Sequence, residues 1–329
     1  MIRWIVKLGL AAVFFAALFT AWLIAFAYRP VSPPFTPFEF SIKHGSSLRN
    51  AAQQIRASGL IIPPWQFELM ARLLGKERGL KAGNYELLAP VTPLDLLTKL
   101  RSGDAVQSEV SFIEGHTFAQ LRKVLSDHAA LKHDSTELSE QAILARIGAK
   151  ETHPEGLFFP DTYMFTSGMS ELSILKRAYQ TMQANLSKAW KNRAPGLPYE
   201  TPYQALIMAS IVEKETGRGE ERPHIAAVFI NRLKLRMKLQ TDPTVIYGMG
   251  LSFDGNIRKR DLIADTPYNT YTRVGLPPTP IAMPGLAAIE SALHPAASND
   301  LYFVAKGDGS HHFSASLEEH NRAVARYQK

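Results

Sequence analysis

Two glutamates, Glu213 and Glu215, close the apolar run Leu206-Ile207-Met208-Ala209-Ser210-Ile211-Val212, in the order E-K-E-T-G. A carboxyl held among apolar side chains favours its neutral form, so its pKa rises and it can donate a proton near neutral pH. The two acids stand at i and i+2, which on a helix sends them to nearly opposite sides. Glu215 follows Met208, Ile211 and Val212 at helical spacings and shares their large apolar stripe. Glu213 follows Ala209 and Ser210, a smaller and more polar setting. Glu215 is therefore the expected general acid. Glu213 is the expected supporting acid, paired with an arginine.

Further residues could present a sugar to that acid. Gln240-Thr241-Asp242-Pro243-Thr244 brings hydroxyls beside an aspartate that its proline should hold extended. Asp242 is a possible second carboxylate, although a turn or N-cap role suits it better. Tyr247 before Gly248-Met249-Gly250, and Tyr268-Asn269-Thr270-Tyr271, interleave aromatic rings with hydrogen-bonding groups. Gln240, Thr241, Asp242, Tyr247, Tyr268, Asn269 and Tyr271 are the expected substrate contacts. The same residue types also serve ordinary turns, and an E-x-E at a helix end is often merely solvated. No histidine pair has zincin spacing, no G-x-S-x-G is present, and no glycine loop would cradle a phosphate. Neither a metal nor a cofactor is expected. One perturbed glutamate without an obvious carboxylate partner points to cleavage in which the substrate supplies its own nucleophile, because glycoside hydrolysis uses two carboxylates.

The chain has 329 residues, 46% of them hydrophobic, enough for two or three domains. It has no cysteine, which excludes disulfides and thiolate chemistry. A net charge of +7 without an arginine-rich tract suits anionic surfaces and gives no case for nucleic acid. Leu8–Tyr28 is uncharged and mostly apolar, with Arg3 and Lys7 before it and Arg29 after it. At 21 residues it is long enough to span a bilayer, and longer than the apolar part of most signal peptides, although Ala25-Phe26-Ala27 resembles a cleavage site. Residues 29–38 form a proline-rich linker, expected to be a stiff spacer that holds the folded part off the bilayer.

Beyond it, Ser41–Leu48 aligns with Ser111–Phe118 at an offset of 70, each a short strand, a glycine turn, a Ser/Thr cap and an amphipathic helix. Gly83–Leu87 reads as another strand. Helices are predicted near 171–186, 202–216 and 222–235 and from 317 onward, and Leu301–Ala305 reads as a buried strand. Strands and helices mix without a βαβ rhythm, which makes the fold class α+β.

The motifs E-G-L-F-F-P-D-T-Y at 155–163, A-S-I-V-E-K-E-T at 209–216, F-I-N-R-L at 229–233, L-Q-T-D-P-T-V-I-Y-G at 239–248, Y-N-T-Y at 268–271 and H-P-A at 294–296 occur in one order. Together they resemble the endolytic murein transglycosylase (YceG-like, MltG) family. The resemblance implies an N-terminal transmembrane helix within residues 1–28, a LysM-like small α+β region at 39–150, and a mixed α/β catalytic domain at 151–329. It implies non-hydrolytic cleavage between N-acetylmuramic acid and N-acetylglucosamine inside peptidoglycan glycan strands, leaving 1,6-anhydro ends, with Glu215 as the catalytic acid and base. It also implies a single-pass inner-membrane protein with a cytoplasmic N-terminus and a periplasmic bulk, working beside peptidoglycan synthases (penicillin-binding proteins). The competing readings are a membrane-anchored wall-binding scaffold without catalysis and a lysozyme-like hydrolase.

Overall fold

An uncharged apolar segment satisfies its backbone internally by coiling, and α1 runs Ile2–Tyr28 as one helix. The computed structural model describes residues 2–43, 45–103 and 107–328; His44 and the Arg3 side chain, used in the sequence reading, lie outside the described residues. Two compact units emerge, Met1–Glu109 with Met164–Met169, and Val110–Tyr163 with Ser170–Lys329.

In the first unit, β1 (Phe38–Ile42) is followed by α2 (Leu48–Ala57), α3 (Pro64–Leu73), β2 (Gly83–Leu87) and α4 (Pro93–Ser102). Strand β1 pairs antiparallel with β2, setting Phe40 opposite Tyr85. Its alternation places Phe38, Phe40 and Ile42 inside and Glu39 and Ser41 outside. Ser47 caps α2 by accepting from the Asn50 N–H, and Thr92 caps α4 at Asp95.

The last two turns of α1 belong to this core, with Ala27 buried and Leu23 and Phe26 packed against it. The segment after α1 does not act as a free spacer. Val31 exchanges backbone hydrogen bonds with Val91 at 2.9 and 3.0 Å, so the proline-rich stretch is pinned to the folded unit. Proline stiffness set the expectation, but apolar burial at the end of α1 overrides it.

The β-α-α-β order then recurs. Strand β3 (Gln107–Ser111) pairs with β4 (Thr162–Thr166), and α5 (Phe118–Ser126) and α6 (Glu140–Ile147) lie between them in sequence. The offset of 70 residues between Ser41 and Ser111 thus marks the same point, the end of the first strand, in each copy. A capping box of Thr117 and Gln120 opens α5.

The rest of the second unit holds α7 (Glu171–Lys191), α8 (Pro202–Glu215), α9 (Arg222–Lys234), α10 (Asp242–Met249), α11 (Lys259–Ile263), α12 (Leu286–Leu293), β5 (Tyr302–Ala305), β6 (His311–Ser314) and α13 (Leu317–Tyr327). Thr201 caps α8, with Pro202 in its first turn. Helix α8 packs against α9 and α12, and Ala205 through Val212 are all buried. That full burial makes α8 the axis of the unit and fixes where its acidic end points. Helix and small sheets mix throughout, as the α+β class requires.

Two local expectations change. The segment after Thr241 is helix α10, so Asp242 is a first-turn helical residue, while Thr241 is the extended one. An acidic residue in that first turn is favoured by the helix dipole, which offsets the extended bias before proline. Strand β5 is not buried, since only Val304 lies inside.

Candidate functional site

Helix α8 ends at Glu215 because Thr216 turns extended ahead of Gly217. Glu215 is thereby the last helical residue, delivered by a buried helix to the rim of a cleft of about 640 Å³. The cleft is lined by α9 through Phe229 and Arg232, by Gln240, Thr241 and Asp242, by Tyr271, and by β5, β6 and α13. The Thr241 hydroxyl donates to Glu215 Oε1, leaving Oε2 as the oxygen to carry a proton. Burial pushes the Glu215 carboxyl above its ordinary range; the Thr241 bond opposes that, the Asp242 charge adds to it, and His311 and Arg232 pull weakly downward. Among the described residues Glu215 makes no ion pair. Desolvation of this kind favours the protonated form of a carboxyl.

Glu213 faces another environment. Its Oε1 accepts from Arg222 at 3.0 Å and its Oε2 from the Gly285 N–H at 2.9 Å. Burial raises its pKa too, but the Gly285 bond and the Arg222 charge oppose that. Both acids are desolvated, so side-chain size along the helix does not separate them. The partner does: a guanidinium meets Glu213 and a hydroxyl meets Glu215.

The cleft wall opposite α8 comes from residues the sequence did not single out. Arg232 is buried, and its guanidinium donates to the carbonyls of Leu301 at 2.6 Å and Leu239 at 2.8 Å while lying 5.1 Å from the Tyr302 ring. It therefore ties α9 to β5 and to the loop before α10. Tyr302 stacks on His320 of α13 at 5.1 Å, and His311 of β6 is held by Glu221 at 2.7 Å. One signal was readable: Arg232 falls in the otherwise apolar face of F-I-N-R-L, and a buried arginine needs a purpose.

Of the expected substrate contacts, Gln240, Thr241, Asp242 and Tyr271 share the cleft with Glu215. The Tyr271 hydroxyl donates to Asp242 Oδ1 at 2.6 Å, and Gln240 holds a left-handed backbone with φ of 53°. Asp242, named from the sequence as a possible second carboxylate, thus stands in the same cleft as Glu215. Tyr247, Tyr268 and Asn269 are not among the cleft residues, because their polar groups are spent on the fold. The Tyr247 hydroxyl donates to Glu155 Oε2 at 3.0 Å, and Tyr268 pairs with Thr279 at 2.8 Å. Asn269 is buried and its amide donates to the carbonyls of Asp261, Leu262 and Ala264, knotting the loop after α11.

Glu155 is a second buried acid. It accepts from the Phe118 N–H at the start of α5 and from Tyr247, and burial pushes its pKa up to about 7. It does not line the Glu215 cleft.

The YceG-like family model matches residues 40–326. The endolytic murein transglycosylase of Bacillus subtilis (strain 168) is 32% identical over 321 residues, covering 89% of this chain and 85% of that protein. The endolytic murein transglycosylase of Streptococcus pneumoniae serotype 2 (strain D39) is 30% identical over 324 residues, with 87% of this chain and 57% of that longer protein aligned. A crystal structure of a YceG-like protein from Listeria monocytogenes superposes with a TM-score of 0.56 at 29% identity, covering 86% of this chain and 97% of that one.

Proposed function

The chain belongs to the YceG-like family, and from that premise we propose that it is a lytic transglycosylase that cleaves peptidoglycan glycan strands, with Glu215 as its acid. The observation that carries this reading is the desolvated Glu215 carboxyl, without an ion pair among the described residues, at the rim of an open cleft. Protonated Glu215 gives its proton to the glycosidic oxygen between N-acetylmuramic acid and N-acetylglucosamine as the C1–O bond breaks. The resulting carboxylate takes the proton of the muramyl 6-hydroxyl as that oxygen bonds to C1, closing a 1,6-anhydro ring. One group serves both steps and ends protonated, as it began. Thr241 orients the carboxyl through Oε1, while Gln240, Asp242 and Tyr271 line the path of the sugar.

A second reading rests on Asp242. A lysozyme-like hydrolase needs a second carboxylate to activate water or attack C1, and Asp242 is available in the cleft. Its hydrogen bond from Tyr271 suits a positioning role better. Digesting purified sacculi and weighing the products separates the two. Anhydromuramyl ends support transglycosylation, reducing ends support hydrolysis, and binding without products returns the scaffold reading. If Glu215→Gln kept full activity while Glu213→Gln lost it, the assignment between the two acids would be reversed.

The proposal places α1 across the inner membrane, with the cytoplasm at its N-terminus and the remainder in the periplasm beside peptidoglycan synthases. The apolar length of Lys7–Tyr28 supports the span. The β1-α2-α3-β2 arrangement supports a LysM-like module, and the position of Glu215 supports a catalytic domain within 151–329.

A further inference from the structure

Helix α3 is apolar on two opposite faces. Phe67, Met70 and Ala71 enter the core of the first unit. On the other side Trp65, Leu69 and Leu73 follow one another at four-residue spacing, a single stripe along the helix. Trp65 is 59% exposed and Leu73 57%, and Ile61, just ahead of the helix, is 83% exposed. A helix of a water-soluble domain usually turns a polar face outward, so a second apolar stripe needs an occupant.

The position of α3 against α1 identifies that occupant. The Trp65 ring stacks on Trp22 of α1 with centroids 5.6 Å apart and planes at 20°. Trp22 stands six residues before Tyr28, the end of α1, which is about 9 Å along the helix axis. If Leu8–Tyr28 spans a bilayer, Trp22 lies below the outer edge of the hydrocarbon, and Trp65 lies beside it. That is the depth, roughly 5–10 Å, to which the apolar face of an amphipathic surface helix sinks. Because Ala27, Leu23 and Phe26 fasten α1 to the core of this unit, the stripe cannot drift away from the membrane that holds α1.

We propose that the face formed by Ile61, Trp65, Leu69 and Leu73 is a lipid-contacting surface, seating the first unit in the outer interface of the bilayer instead of suspending it above. This rests on the reading of α1 as a membrane span. The burial of apolar area and the rigid join to α1 would together fix the height and tilt of the first unit over the membrane.

The absence of cysteine allows a clean test. Single variants Ile61→Cys, Leu73→Cys and, within α1, Val13→Cys are made in the full chain, labelled with the fluorophore NBD, and reconstituted into vesicles of phosphatidylethanolamine and phosphatidylglycerol. Spin-labelled phosphatidylcholine is then added as a quencher confined to the bilayer. All three positions are exposed in the protein, so labelling leaves the core intact. The proposal expects loss of emission at Ile61 and Leu73 as well as at Val13. Quenching at Val13 alone overturns the proposal and leaves the span standing. No quenching at any position removes the span and the proposal together. Probes at Ile61 and Leu73 that resist both aqueous iodide and the lipid spin label, with Val13 quenched, would place a protein on the stripe and also overturn it.

Discussion

Glu215 and Glu155 are both buried carboxyls with raised pKa values, each accepting a hydrogen bond from a side-chain hydroxyl, yet their surroundings differ. Glu215 receives one hydroxyl on one oxygen and borders an open cleft. Glu155 is engaged on both oxygens, by a backbone N–H and a tyrosine, and is only 3% exposed. A raised pKa shows that a carboxyl has been taken out of water. Whether it does chemistry depends on a free oxygen and a route for substrate. The two acids therefore predict opposite patterns of mutational effect, activity at one and stability at the other.

The largest effect is expected at Glu215. Replacing it with Gln keeps an acceptor for Thr241 but removes the proton, so turnover on glycan strands should fall by about 10²–10⁴, the usual contribution of a general acid. The melting temperature should not fall with it. A parallel loss of both would erase the contrast between the two acids.

Next comes the pH dependence of stability at Glu155. Its pKa is about 7 when folded against an ordinary value of 4.5. The raised value means that its stabilising contribution is complete below pH 4.5 and is lost as pH rises through about 7. The gap converts to about 3 kcal/mol across that window. Glu155→Gln should flatten this slope in denaturation curves recorded from acid to neutral pH, with activity little changed. A slope identical to the parent would show that Glu155 is not the titrating group.

Tyr247→Phe removes the hydroxyl from Glu155 Oε2 and should cost about 1–3 kcal/mol at neutral pH, the range for stranding a buried acceptor. Urea unfolding measures that cost, and turnover should stay near the parent value. A selective loss of turnover would move Tyr247 into the cleft machinery.

The smallest effects are shifts in the pH profile. Thr241→Val removes a bond that lowers the Glu215 pKa, so the alkaline limb of kcat/KM should move to higher pH. Asp242→Asn removes a charge that raises it, so that limb should move to lower pH with turnover retained. Abolished turnover in Asp242→Asn would instead favour the hydrolytic reading.

Much of the scaffold was readable because it is local. Thr201 and Pro202 open α8, Ser316 opens α13, and the apolar stripe through Met208, Ile211 and Glu215 follows from helical spacing alone. The strand, glycine turn, cap and first helix that open each β-α-α-β unit were readable from the offset of 70, whereas the second helix of each unit and strand β4 came from the structure. The far wall of the cleft was not, because Tyr302, His311 and His320 reach Glu215 only through tertiary packing. Asn269 shows why composition misleads. A loop that must bury its own carbonyls needs the same amides, hydroxyls and rings that a sugar cleft needs, and sequence does not distinguish a self-satisfied Asn269 from a substrate-facing one. The pairing of Val31 with Val91 was not legible for a related reason: proline stiffness is local, whereas that docking is not.

The most direct test of the central claim is to observe the Glu215 carboxyl titrate. Glutamate labelled with ¹³C at the side-chain carboxyl, with Glu215→Gln and Glu155→Gln to assign the two resonances, reports both acids in one experiment. The account predicts that Glu215 titrates above the ordinary carboxylate range and that Asp242→Asn lowers its midpoint. A Glu215 resonance that titrates near 4.5, the ordinary value, would contradict it.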